Sequence, residues 1–403
     1  MSKREILDLV KTCTGCFACA NCCPKDAISL PENKEGFYFP VIDNEKCIDC
    51  GLCDKICPQV TEQPTQNASK AYYGWATDDK IRKSSSSGGM FHLLAQYVLA
   101  EKGIVYGAAF NYEGLVRLEC HSTEEVTLEE LQRSKYVQNY IGYAFRKIKK
   151  DLQANKKVLF CGTPCQAAGL KSYLRKDYDN LLLADFVCHG VPSMDLLRKH
   201  LEYLGIKHVK EIVFRPKNRG WVDDFEIRFS KIESAKPTDV KLRRIPWRFD
   251  EYYDIFQKYH NIRQSCRNCS YCNGERASDV TLADFWKVKN YDPALWDKRG
   301  VSLILANNEK GIRILSELMK HNDNVIGEIP LEYASYVYER VRTDSNSPYQ
   351  DEKRDAFLHD VYTIGYKQAL IKNGLRVQRK AIIVYKLKQF VKSILRKWIL
   401  NRG

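Results

Sequence analysis

Nine cysteines crowd into residues 11–58, and eight of them form two matching runs. Cys13, Cys16, Cys19 and Cys23 recur 34 positions later as Cys47, Cys50, Cys53 and Cys57, each run ending in Cys-Pro. Three thiolates at two-residue gaps wrap three corners of an iron–sulfur cubane, and in the two-cluster pattern the fourth cysteine of each run ligates the other cluster. The spacing predicts one [4Fe–4S] cluster on Cys13, Cys16, Cys19 and Cys57. A second falls on Cys47, Cys50, Cys53 and Cys23. Structural zinc also uses Cys-x-x-Cys pairs, but takes two pairs rather than a repeated four-cysteine run. Cys22 fits no position in the pattern. Radical chemistry on S-adenosylmethionine would want Cys-x-x-x-Cys-x-x-Cys, which occurs nowhere in the chain. The clusters therefore read as electron carriers.

Three later features also have chemical potential. Ser84-Ser85-Ser86-Ser87-Gly88-Gly89 precedes a segment, Met90–Lys102, with apolar residues at helical spacing. Glycine permits close backbone approach and a helix N-terminus favours anions, so the turn suits a phosphate. The plainer alternative is a flexible Ser/Gly turn. Cys161-Gly162-Thr163-Pro164-Cys165-Gln166 follows the strand-like Lys157–Phe160, at the kind of strand-to-helix turn where an α/β sheet places a ligand. Cys188-His189-Gly190 follows the strand-like Leu181–Val187, and Cys266, Cys269 and Cys272 add three thiolates at two-residue gaps. A third cubane on that trio needs one more ligand, which Cys165 or Cys188 could supply through the fold; zinc stays open as the alternative. His189 would relay a proton or orient a bound cofactor, or sit as a buried structural histidine.

The elements that must position these residues alternate between strand-like and helical patterns from Ala71 onward, with further strand-like runs at Phe225–Phe229 and Val301–Leu305. Such alternation predicts an α/β domain. The expected organisation is an α+β ferredoxin-like 2[4Fe–4S] domain over residues 1–60 and a polar linker over 61–70. A larger α/β domain over 71–355 and a basic helical tail over 356–403 complete it. At 403 residues, 44% hydrophobic and 28% charged, the composition is that of a globular protein. No apolar segment before Cys13 suits a secretory signal, and no run of 18 apolar residues suits a membrane-spanning helix. A cytoplasmic location is expected, where clustered cysteines point to metal rather than disulfides.

The net charge of +14 is a property of the tail: Val361–Gly403 holds 11 Lys and Arg and no acid, so the remaining 53 basic residues nearly balance 50 acidic ones. Ile383, Leu387, Phe390, Val391, Ile394, Leu395 and Trp398 fall on one helical face, with Lys386, Lys388, Lys392, Arg396 and Lys397 elsewhere. Such a helix suits peripheral contact with the anionic inner face of a membrane, or packs on its own domain. Nucleic acid is not expected, because the aromatic residues lie on the apolar face rather than among the basic ones.

Taken in order, several of these motifs resemble a known family. Ser86-Ser87-Gly88-Gly89, Gly162-Thr-Pro-Cys-Gln166, Cys188-His-Gly-Val-Pro-Ser193, the Cys266–Cys272 group and Ser278-Asp-Val-Thr-Leu-Ala-Asp-Phe-Trp286 look like the beta-subunit family of coenzyme F420 hydrogenases and dehydrogenases. The resemblance implies a flavin-binding α/β domain, with FAD beside a further [4Fe–4S] cluster. Ser86, Ser87, Gly88 and Gly89 with Gly162, Thr163, Pro164 and Gln166 would line the flavin, and His189 and Lys135 would serve the reaction. Lys135, in Ser134-Lys-Tyr-Val-Gln138, would contact phosphate or substrate, or be a solvated surface lysine. The implied activity is an iron–sulfur flavoprotein oxidoreductase exchanging electrons with a ferredoxin or with a reduced deazaflavin- or nicotinamide-type donor. The alternative is a non-catalytic electron-transfer subunit docking on a partner enzyme or membrane. Lys287 departs from the pattern, where glycine is expected after Asp-Phe-Trp.

Overall fold

The computed structural model describes residues 11–62, 64–217, 220–221, 226–232, 240–339, 351–378 and 380–385, together with Ile6, Leu9, Leu387 and Val391. Each cysteine run folds around one short helix, α1 (Ala18–Cys22) and α2 (Leu52–Lys55), and the runs are joined by a ribbon of β1 (Ile28–Ser29) and β2 (Val41–Ile42). Apolar side chains are scarce here, so much of the packing is against the larger part that follows. Arg146 donates to the carbonyls of Asn21 (2.8 Å) and Cys23 (2.9 Å) and pairs with Asp26 at 2.7 Å.

The larger part is built on an eight-stranded sheet of β3 (Lys70–Ala76), β4 (Ile104–Asn111), β5 (Arg117–Ser122), β6 (Val158–Gly162), β7 (Leu181–Phe186), β11 (Val280–Asp284), β12 (Ser302–Ala306) and β13 (Asn324–Ile329). Its order is β13-β3-β12-β11-β7-β6-β4-β5. β4, β6, β7 and β11 are parallel, and antiparallel β12 turns β3 back into their direction. The carboxyl ends of β3, β6, β7 and β11 thus meet at one edge. A second, antiparallel sheet joins β8 (Val209–Val213), β9 (Glu226–Ile232) and β10 (Val240–Pro246).

Strands covered on both faces read as near-continuous apolar runs. In β7, Leu181–Asp185 are all buried, and so is every residue of β12. Alternate side chains face opposite layers. Val158, Phe160, Leu181 and Leu183 pack with α5 (Ala144–Gln153), α6 (Pro164–Leu174) and the cysteine-rich part. Leu159, Leu182 and Ala184 pack on the other side with α4 (Met90–Leu99), which follows α3 (Asp79–Ser84), and with α9 (Glu309–Leu318). A separate core holds the second sheet against α7 (Met194–Tyr203), α8 (Glu251–Gln257), α10 (Asp351–Thr363) and α11 (Tyr366–Lys372).

Thr61–Lys70 is mostly irregular, as its composition suggests, but it is tied to the body. Gln66 and Arg276 exchange backbone hydrogen bonds at 2.9 Å, and Ser69 N–H donates to Ala306. In the tail, positions 380–385 are helical, and Ile383, Val384, Leu387 and Val391 are at least half exposed. Lys386, Lys388, Phe390, Lys392, Ile394, Leu395, Arg396, Lys397 and Trp398 lie outside the described residues.

Candidate functional site

Cys23, Cys47, Cys50 and Cys53 line one shallow hollow that opens to solvent. Gly51, at φ +70°, supplies the left-handed residue from which α2 starts and which lets the run curl around this space. The other four thiols of the repeat form a second group. Burial raises the Cys16 and Cys19 thiols, and the charges of Cys13 and Cys57 raise both further. In each group, therefore, the fourth cysteine comes from the opposite run. A bound cation reverses this mutual repulsion and holds coordinating thiols deprotonated. The groups are open sets: among the described residues, no three Cys, His, Asp or Glu are placed to hold a single metal ion. One zinc, with sulfurs at about 2.3 Å, needs a tighter group. Cys22 lines no part of the hollow and donates its S–H to the Cys19 carbonyl at 3.2 Å.

A third thiol group lies deeper. Cys269 is raised by burial first and then by Cys266, Cys165 and Cys188; Cys188 is raised by burial, Cys266 and Cys165. Three segments converge to make it. Cys165 sits in the first turn of α6, fixed by a capping box between Thr163 and Gln166 with Pro164 at the helix start. Cys188 follows the end of β7, and its loop is stitched to the Cys266 segment: Pro192 bridges Ile262, and Arg263 N–H donates to Val191 at 2.9 Å. Both candidates for the missing ligand, Cys165 and Cys188, join Cys266 and Cys269. Cys272, the last of the trio, closes a turn by donating its N–H to the Cys269 carbonyl at 3.2 Å, and the charge of Arg276 acts on its thiol.

One helix links the deep group to the ferredoxin-like one. From Cys165, the next position on the same face of α6 is Gly169, about 6 Å further along the axis. A Cβ at Gly169 would lie 2.9 Å from both Cβ and Sγ of Cys16, so the glycine makes room for that cysteine. Ser172 on the following turn donates to the Ile56 carbonyl at 2.5 Å, beside Cys57. Tyr271, almost fully buried, lies within reach of the charges of Cys165 and Cys269 and of Cys16 and Cys57.

The residues expected to line a flavin gather at the carboxyl edge of the sheet, and several of their polar atoms are engaged within the fold. Ser86 Oγ accepts from Ser134 N–H (2.7 Å) and is 2.9 Å from its hydroxyl. Ser87 donates to the Val301 carbonyl at 2.9 Å, and Gly88 N–H to Ser302 at 2.8 Å. A Cβ at Gly88 would lie 2.2 Å from the Gly74 carbonyl, so strand packing demands this glycine; Gly89, at φ +102°, starts α4. Gly162 lies against Phe160 and Gln166, and the Gln166 side chain serves its own helix cap. These contacts help to build the edge of the sheet.

Beside them lies a group of titratable side chains. Lys135 has a partly exposed stem but an enclosed ammonium, donating to the Gln132 carbonyl at 2.5 Å; burial, then Arg133, lowers its pKa to about 7. Cys161 lies within the reach of the charges of Lys135 and Asp185, and burial raises its thiol to about 12. Asp185 is fully buried at the end of β7; burial raises it to about 6 against Arg276 at 3.5 Å and a Thr281 hydroxyl at 2.6 Å. Its Oδ2 accepts no hydrogen bond among the described residues. His189 is half-buried in the loop after β7. At the next strand end, Asp284 accepts from Arg215 (2.7 Å) and the Trp221 indole (2.9 Å), and Lys287 lies 5.0 Å from the centre of the Tyr336 ring. Motif spacing did not reveal Asp185, Tyr271 or Arg263. Asp185 did leave a signal, as an acid within the apolar strand LLLADF.

Residues 12–60 match the model of a 4Fe-4S dicluster domain, and residues 155–330 match that of the C-terminal part of the coenzyme F420 hydrogenase/dehydrogenase beta subunit. Over 47 residues the chain is 45% identical to a protein of an ion-translocating oxidoreductase complex of Methanosarcina acetivorans, covering 12% of this chain and 16% of that protein. Over 54 residues it is 41% identical to the polyferredoxin-like subunit of an aliphatic sulfonate oxidoreductase of Pyrococcus furiosus, covering 13% and 30%. The chain thus spans less than a third of either curated relative. Among solved structures, a chain of the F420-reducing [NiFe] hydrogenase complex from Methanosarcina barkeri aligns with a TM-score of 0.43 and 15% identity, covering 77% of this chain and 94% of that one. Residues 12–60 thus form a 4Fe-4S dicluster domain of the ferredoxin type, and through residues 155–330 the chain is related to the C-terminal part of the coenzyme F420 hydrogenase/dehydrogenase beta subunit.

Proposed function

We propose that this iron–sulfur oxidoreductase carries three [4Fe–4S] sites in series. Cys165, Cys188, Cys266 and Cys269 hold the deepest, Cys13, Cys16, Cys19 and Cys57 the middle one, and Cys23, Cys47, Cys50 and Cys53 the outermost. The observation that carries the proposal is the placing of Cys165 and the Cys16 contact one turn apart on a single face of α6. Electrons would pass between chemistry at the carboxyl edge of the sheet and a redox partner at the open hollow. The test is anaerobic assembly followed by iron determination and electron paramagnetic resonance. Three cubanes' worth of iron, falling to two in Cys165→Ser, is expected; two in the unaltered protein would sink the series.

FAD is the group that the family implies for the two-electron end, where it would exchange a hydride pair for single electrons. In the serine–glycine turn the Ser87 hydroxyl and the Gly88 N–H are engaged within the fold, which leaves the N–H groups that open α4 as the donors for such a group. What favours a ligand at this edge is the neighbouring group of Lys135, Cys161 and Asp185, the last fully buried and paired with Arg276 at 3.5 Å. Near pH 7 Lys135 stands at the midpoint of its titration and can hold or give up a proton at Nζ. Flavin extracted in equal amount with the chain would support this reading, and its absence would leave an electron-transfer subunit. The exposed Ile383, Val384, Leu387 and Val391 within a basic tail support contact with an anionic membrane surface. Binding to anionic vesicles that survives high salt and vanishes on removing the tail is expected; equal binding by the truncated chain would end that idea. No helix among the described residues is long and apolar enough to cross a membrane.

A further inference from the structure

Arg263 is 1% exposed and stands where the ferredoxin-like part meets the deep thiol group. Its backbone belongs to the deep side: Arg263 N–H donates to Val191, and the Arg263 carbonyl accepts from Cys266 N–H at 3.0 Å. Its side chain belongs to the other side, with Nε donating to the Cys13 carbonyl at 2.7 Å. The guanidinium lies 3.9 Å from the centre of the Phe39 ring and 5.7 Å from that of Phe37. Its Nη1 lies 3.3 Å from where a Cβ on Gly15 would be, and Gly15 is at φ +64° in the Cys13–Cys16 loop.

Nη1 and Nη2 are both buried and make no hydrogen bond among the described residues. A buried cation without acceptors costs several kcal/mol, so a side chain held in this way needs anionic partners. The thiols of Cys13, Cys266 and Cys165 are the acidic groups whose charges act on it. They belong to both the middle and the deep sets. Phe37 and Phe39 close the apolar side, and Nη1 lies against the Cys13–Cys16 loop at Gly15.

We propose that Arg263 is the positioning residue that sets the potentials of the middle and deep clusters. Its free N–H groups donate to their sulfurs, and its fixed charge stabilises the more negative, reduced form of each. Hydrogen bonds to sulfur and net charge are two of the levers that set cluster potential. One guanidinium shared between two clusters would raise both potentials together and keep the step between them small. This rests on the three-site series proposed above, although the Cys13 side stands without the deep site.

The experiment is a reductive titration of the anaerobically assembled full chain, followed by electron paramagnetic resonance, for the unaltered protein, Arg263→Lys and Arg263→Gln. In Arg263→Gln the midpoint of the middle cluster should fall by at least a tenfold change in the reduced-to-oxidised ratio, about 59 mV for a one-electron couple. The deep cluster should fall with it. The outermost cluster, on Cys23, Cys47, Cys50 and Cys53, should stay within a twofold change, and Arg263→Lys should recover most of the shift. Unmoved potentials at full iron content would overturn the proposal, as would an equal shift of all three. Loss of iron from both variants would also overturn it, since the residue would then act by packing alone. Two cubanes' worth of iron in the unaltered protein would refute the deep site while leaving the middle-cluster shift to decide the role of Arg263.

Discussion

The two ends of the cysteine array differ in almost every physical respect. The outermost group is a local product of sequence, with all four cysteines within 31 positions around an open hollow where Cys50 and Ile48 are exposed. The deep group is assembled from three segments across more than 100 positions; its four cysteines are each half-buried, and Cys165 and Cys269 pack against Tyr271. An exposed redox centre exchanges electrons with a partner, whereas an enclosed one serves chemistry that must exclude water. In the proposed series this difference would put the redox partner at the outermost group and the chemistry at the deep one.

The most severe way to break this comparison is to remove one cysteine from each description of the deep group. Cys165→Ser should lose a cubane's worth of iron and the corresponding paramagnetic signal, while Cys272→Ser should retain both. The reverse result would restore the Cys266, Cys269 and Cys272 trio that the sequence spacing suggests. Gly169→Ala comes next. Its new Cβ would sit 2.9 Å from Cys16, and overpacking of this kind costs about 1–3 kcal/mol. The middle cluster's signal should broaden or fall and its thermal midpoint drop, while the outermost cluster keeps its signal. An unchanged middle cluster would mean that α6 does not position it.

A smaller effect separates the carboxyl edge from the rest of the surface. An ordinary lysine titrates near 10.4, whereas Lys135 is lowered to about 7. The sign follows from burial: the folded state disfavours the charged form, so Lys135 detracts from stability below pH 7. That penalty fades as pH rises from 7 towards the unfolded value. The neutral amine should therefore label with an amine-reactive reagent along a curve with its midpoint near pH 7, far below the surface lysines. A midpoint near 10 would make Lys135 an ordinary solvated cation.

How far the sequence reveals all this depends on the range of the interactions. The ferredoxin-like runs are legible because their ligands and turns lie within a few residues of one another, and the pairing of Cys57 with the first set and Cys23 with the second follows from the repeat. The strands β4, β6 and β7 are legible because they are covered on both faces and carry near-continuous apolar runs. Ser86–Gly89 shows the limit: serine and glycine there suggest a phosphate turn, but the hydroxyls bond to Ser134 and Val301, partners 48 and 214 positions away. Arg263 is further hidden, since nothing local distinguishes it from any other arginine and its meaning comes from Cys13, 250 positions earlier.

Ile48 allows the finest test of the comparison. It lines the hollow between Cys47 and Cys50 and is 57% exposed, so its side chain contributes little burial to the folded state. Replacing it with serine should change stability by no more than about 0.5 kcal/mol, the usual range for surface substitutions. An exposed apolar residue beside an electron-transfer centre has a second use, as the dry contact against which a partner docks. Interfaces concentrate their energy in a few such central side chains. Ile48→Ser should therefore leave the thermal midpoint, the iron content and all cluster potentials alone. Electron exchange with a soluble ferredoxin should slow several-fold, while exchange with a small dye such as methyl viologen should not. If ferredoxin exchange were untouched, the open hollow would not be the docking end, and the partner would have to reach the array from the middle group.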